Sequence, residues 1–195
     1  MNIFVKHCLI AFLAIMILGG CSHSVKRIDP SSQTDLSGRW NDTDSRLTAN
    51  AMIEQMFGKP WAIEFEQRHQ KKPVIIVGLV NNKSHEHINT ETFIKDLERA
   101  IVNTGSICLV EKDENREALR RERADQQEFA SAETAKRWAR ELGADFLLQG
   151  SVNSIVDSYK KNQVVFYQID LTLSNIENNV RVWQGQEKIK KMIRN

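Results

Sequence analysis

Apolar residues recur along this chain with two spacings, and the switches between them outline a fold. From Cys8 to Leu18 the apolar run is almost unbroken, but at about 11 residues it is too short to cross a hydrocarbon core, which takes roughly 20. Lys6 and His7 precede it and Gly19-Gly20-Cys21 follows, the layout of a secretory leader covering residues 1–20. Residues 21–42 carry Ser, Asp, Asn, Pro30 and Gly38 with few large apolar groups, and read as a flexible tether.

The folded part is expected over 43–195. Thr43 or Asp44 is placed to cap a helix whose Ala49, Met52, Ile53, Met56 and Phe57 share one face, closed by Gly58 and Pro60. Trp61 to Arg68 continues as a short helix. Val74 to Val80 is a continuous apolar run of strand length, expected to be buried on both faces, and 81–88 is a polar loop. A second good helix starts at Asn89 or Thr90, with Phe93, Leu97, Ala100 and Ile101 as its stripe and Gly105 as its stop. Ile107–Val110 is the next strand, and 113–128 a charged helix in which Glu117 and Arg121 can pair. Ser131 caps a further helix with Ala135, Trp138, Ala139 and Leu142 inward. Phe146-Leu147-Leu148 starts a strand that continues extended through Ser151 to Asp157 and turns at Lys160-Lys161-Asn162. Val165, Tyr167, Ile169, Leu171 and Leu173 then alternate with polar residues, and Val180–Glu187 returns after a turn at 177–179. The order ααβαβααβββ predicts a single α/β (α+β) domain with a mixed sheet, a βαβ unit feeding an antiparallel meander, flanked by helices.

Composition sharpens the two ends of this picture. The box Leu18-Gly19-Gly20-Cys21 adds to the leader what a plain secretory signal lacks, a branched residue, two small ones and a thiol, so Cys21 is the expected lipid-attachment site. Ser22, rather than Asp, after that cysteine points to the periplasmic face of the outer membrane. Two or three acyl chains on Cys21 would anchor the chain without a spanning helix. Cys8 leaves with the leader and Cys21 takes lipid, so Cys108 stands alone, no intramolecular disulfide is expected, and its strand-like surroundings suggest a buried, inert thiol. Without Lys6 the chain carries 26 basic and 25 acidic groups, a balance that does not suggest a nucleic-acid surface.

No phosphate-binding glycine loop, dinucleotide fingerprint, nucleophile elbow or H-E-x-x-H helix is present, and no cofactor is implied. His85 and His87 would face one side of an extended segment and could share a metal, but no third ligand lies nearby, so no metal site is assigned. The Arg120-Arg121-Glu122-Arg123 run reads as a solvated helix face or a partner-binding one. The basic tail 188–194 suits an edge strand guarded by lysines, or contact with an anionic surface. Trp40 precedes the domain and could pack back on it.

Specific strings go further than periodicity. Leu79-Val80-Asn81-Asn82-Lys83-Ser84, Glu86-His87-Ile88-Asn89-Thr90-Glu91-Thr92-Phe93, Asn103-Thr104-Gly105, Ala124-Asp125-Gln126-Gln127-Glu128, Gly143-Ala144-Asp145-Phe146-Leu147-Leu148-Gln149-Gly150 and Val182-Trp183-Gln184-Gly185 occur in this order. Together they resemble the LpoB family, outer-membrane lipoproteins that activate class A penicillin-binding proteins, over roughly Thr43 to Lys191. The resemblance implies a non-enzymatic binding domain similar in fold to the N-terminal domain of TolB. It also implies a class A penicillin-binding protein, the bifunctional peptidoglycan synthase, as partner. The expected docking patch combines Asn82, His85 and His87 of the polar loop with Arg120, Arg121 and Gln126 of the charged helix. The tether departs from the family's long, proline-rich one, since Pro30 is its sole proline. Some 20 residues span about 70 Å fully extended and about 25 Å as a coil. Two other readings remain: an assembly or secretion lipoprotein related to curli-secretion components, which share a similar G-A-D-x-L-L-x-G string, and a metal-dependent envelope enzyme using His85 and His87.

Overall fold

A computed structural model describes residues 24–129 and 143–194. Cys21, the leader and the helix expected from Ser131 lie outside the described residues. The chain divides into two units, Met1–Ser32 and Gln33–Asn195. In the first, Asp29 closes a small turn, accepting hydrogen bonds from Ser31 N at 2.8 Å on its carboxylate and from Ser32 N at 3.0 Å on its carbonyl. The second unit starts ten residues ahead of Thr43, where the sequence places the start of the domain.

Helix α1 (Asp42–Phe57) opens on a reciprocal cap. Asn41 Oδ1 accepts from Asp44 N at 3.1 Å while Asp44 Oδ2 accepts from Asn41 N at 2.9 Å, satisfying two otherwise orphan donors. The cap is therefore Asn41, ahead of the expected Thr43 or Asp44, and the first two turns of α1 bury Thr43, Asp44, Ser45 and Thr48. Ser45 Oγ donates to Asp96 at 2.6 Å, tying α1 to α3 (Thr90–Asn103), which is capped by Asn89. Helix α2 (Trp61–His69) sets Trp61 and Phe65 edge-on to Phe146, both at 5.2 Å.

Strands β1 (Val74–Lys83), β2 (Cys108–Leu109), β3 (Phe146–Tyr159), β4 (Asn162–Asn175) and β5 (Arg181–Arg194) form one sheet in the order β2-β1-β3-β4-β5. Pairing is parallel on both sides of β1 and antiparallel from β3 onward, which is the expected mixed sheet. Val165, Tyr167, Ile169, Leu171 and Leu173 of β4 all point inward, where they join Met52, Phe93, Leu97 and Ile101 in one core.

Several local expectations change. Strand β1 runs three residues past Val80, so the loop is 84–89 rather than 81–88. The register between β1 and β3 shifts between Val77 and Val80, which turns Leu79 outward at 74% exposure, so this strand is not buried on both faces. Cys108 is exposed, because β2 is a two-residue edge strand whose neighbour Ile107 takes the inward position. In α4 (Asp113–Phe129) Glu117 pairs with Arg120 at i,i+3 instead of with Arg121. Strand β5 continues seven residues past Glu187, so the basic tail is its second half. Among the described residues no helix is long and apolar enough to cross a membrane.

Candidate docking site

The β1–α3 loop is built from its own side chains. Asn82 Nδ2 donates to the carbonyl of Glu86 at 2.8 Å, and its Oδ1 accepts from Ser84 N at 2.9 Å and Ser84 Oγ at 2.6 Å. His85 is pinned to β3, its N and Nδ1 lying 2.9 and 2.7 Å from Ser154 Oγ. His87 is exposed on the same loop. Asn82 and His85 thus shape the loop, and His87 is the member of the three that a partner would meet unencumbered. Arg120 and Arg121 are exposed on α4, a different element, which also carries Gln126. The described side chains of α4 are exposed or half-buried around the whole helix, Leu119 included at 50%. Among the described residues no three His, Cys, Asp or Glu side chains converge as metal ligands.

Beneath the loop lies a polar cluster that periodicity did not reveal. Glu86 turns inward and its Oε1 accepts from Tyr167 OH at 2.5 Å and from Trp40 N at 2.9 Å. The Trp40 ring sits edge-on to Phe93 and Tyr167, at 5.9 and 5.8 Å. Next to it, Lys191 of β5 reaches Asp35 Oδ1 and Asp44 Oδ2, each at 2.6 Å, and the carbonyl of Arg39 at 3.1 Å. Residues 35–41 are therefore a strap fastened across the inner face of β4 and β5. Gly38 permits this: its φ is +70°, and a Cβ there would collide with Ile193. The strap's signal in the sequence is parity, since Lys191 falls on the inward register of β5 with Trp183, Ile189 and Ile193.

The electrostatics follow from this burial. Burial lifts the Tyr167 hydroxyl well above its ordinary 10.0, and the hydrogen bond to Glu86 lifts it further, so it stays a donor. Burial pulls Lys191 down, but hydrogen bonds to Asp35 and Asp44 outweigh it and its pKa ends above 10.5. The Lys191 ammonium, with help from Asn41, holds Asp35 below its usual 3.8. Such an arrangement holds shape and presents surface.

The family model of the peptidoglycan-synthase activator LpoB matches residues 44–189. The chain belongs to the LpoB family. Its members are activators of peptidoglycan synthases rather than enzymes. The LpoB C-terminal domain from Escherichia coli is 17% identical, with a TM-score of 0.44, 76% of this chain and 99% of that one being covered. The corresponding domain from Salmonella enterica gives 17% and 0.43 at the same coverage. The NMR structure of E. coli LpoB gives 15% and 0.42, covering 89% of this chain and 84% of that one. Among curated proteins none matches the chain.

Proposed function

We propose that this LpoB-family chain is a lipoprotein of the outer membrane that docks on a class A penicillin-binding protein and shifts that synthase to an active state. The family match over 44–189 carries the reading. Docking falls to α4, whose described surface is open all round, with His87 of the β1–α3 loop; Asn82 and His85 hold that loop in shape, and Arg120, Arg121 and Gln126 supply α4's polar contacts. Arg121→Glu is expected to weaken retention of the synthase in a pull-down by about tenfold, the effect of a desolvated charge contact worth about 1.4 kcal/mol or more. It should lower stimulation of glycan polymerisation in parallel. Unchanged retention would remove α4 from the interface.

Anchoring falls to Cys21. Cys21→Ala is expected to abolish incorporation of labelled palmitate and to move the protein out of the outer-membrane fraction; a palmitate-labelled variant would refute the site. The strap also shortens the leash. With the packed unit starting at Gln33, residues 22–32 could span about 40 Å at most if fully extended, so the synthase's docking domain must project to within that distance plus the breadth of the packed unit.

A further inference from the structure

The pairing of β3 with β1 ends at Asn153, yet β3, β4 and β5 run on together to Tyr159, Asn162 and Arg194. The result is a three-stranded ribbon end projecting past the rest of the sheet. Because Val165 and Tyr167 point inward, the opposite parity faces out, and the register sets Ile155 beside Phe166 and Lys190, then Asp157 beside Val164 and Met192. Ile155, Tyr159 and Met192 are 66, 72 and 63% exposed, and Val164 and Phe166 are half-buried between them. Around this apolar strip stand five exposed cations, Lys160, Lys161, Lys188, Lys190 and Arg194. Asp157 is the sole carboxylate in 154–166 and 188–194. Among the described residues none of the five cations has a carboxylate partner, and Lys160 rests 5.3 Å over the Tyr159 ring.

We propose that this ribbon end is a second membrane contact, laying its apolar strip and lysines on an anionic leaflet. Lysines on an edge strand also discourage strand pairing, but that role needs neither the exposed Ile155, Tyr159 and Met192 nor the two lysines in the turn. An acidic protein surface would match the charge. However, protein interfaces are depleted in lysine, whereas lysine clusters beside interfacial aromatic and aliphatic side chains suit an anionic bilayer. The strap lies on this end too: Asp35 and Arg39 are held by Lys191, and Gly38 lies against Ile193, so the first residues of the packed unit sit beside the ribbon end. The inference rests on the lipid-anchor reading for its biological setting, but its test does not need the lipid.

The test uses the unlipidated chain from Ser22 to Asn195, which retains the whole core described above. It should co-sediment with vesicles of phosphatidylethanolamine and phosphatidylglycerol at low salt, and not with phosphatidylcholine vesicles. Lys188→Glu with Lys190→Glu should lower the vesicle affinity at least about tenfold, as should Ile155→Ser with Tyr159→Ser, which leaves the charge unchanged. Near-ultraviolet circular dichroism identifies any variant that fails to fold, and Lys160→Gln with Lys161→Gln, in the exposed turn, then serves as the substitute. Absence of binding to anionic vesicles overturns the inference while palmitate labelling of Cys21 reports separately on the anchor. Variants that keep vesicle binding but lose the synthase overturn it in favour of a protein partner.

Discussion

Lys191→Ala is expected to destabilise the domain by about 3–5 kcal/mol, the usual result of removing one member of a buried ion pair. The Lys191 side chain is 10% exposed and that of Asp44 9%, so the substitution leaves Asp44 without its cation in a place water reaches poorly. Asp35, at 40% exposure, adds little directly, because an exposed pair is screened. Lys191→Met, which keeps most of the apolar stem, should recover only a small part of the loss if charge is the cause. Urea unfolding measures the change, and a loss below about 1 kcal/mol would mean that the cluster is solvated and the strap held by Trp40 alone. Trypsin adds a local readout: Arg39 is already exposed, so loosening of the strap should speed cleavage after it.

The same cluster sets a pH window whose sign can be worked out. Lys191 has a raised pKa in the folded chain, so its contribution is complete below 10.5 and is lost as pH climbs through the folded value. Asp35 has a lowered one, so its contribution is present above 3.8 and is lost as pH falls through the depressed value. Stability of the parent chain should therefore sag at both extremes, and in Lys191→Ala both limbs should shrink, the alkaline one keeping the part that comes from the raised pKa of Tyr167.

Gly150→Val is expected to cost about 3 kcal/mol or more, through overpacking that the site cannot relieve. A Cβ at Gly150 would strike the carbonyl oxygen of Asp170 and approach Leu171 Cδ2 to 2.6 Å. The first of these is backbone of β4, so relief requires parting β3 from β4, the pairing on which the ribbon and the core both depend. Gly150 also faces Val80, just where the β1–β3 register shifts. Gly143→Ala is the control, since a Cβ there meets nothing within 4 Å among the described residues and should change the melting temperature little. Equal melting temperatures for Gly150→Val and Gly143→Ala would show that the β3–β4 ladder adjusts at no cost.

How far the sequence could be read differs between elements for definite reasons. The long stripes of α1 and α3 and the strict alternation in β4 were legible, because a period of 3.6 or 2 over many residues has one structural solution. Ends were harder. Asn41 caps α1 through a side-chain exchange with Asp44, and no apolar pattern marks such an exchange. Strand β5 continues through Lys188 and Lys190 because those residues face out of the sheet, and their charge masked the strand. Among the expected docking residues, the bonds that Asn82 makes within the loop and His85 makes to β3 were hidden for the same kind of reason, since the second depends on a residue, Ser154, far away in sequence.

By itself the sequence determined the element types, the mixed-sheet class, the family, and the expectation that Cys21 carries lipid, because these depend on local spacing and on contiguous strings. Only the tertiary structure decided that Trp40, Glu86, Tyr167 and Lys191 meet, that Cys108 is exposed, and that the packed unit starts at Gln33. Each of these turns on which residues distant in sequence share an interior or an edge, and a strap held by one buried lysine leaves no periodic trace.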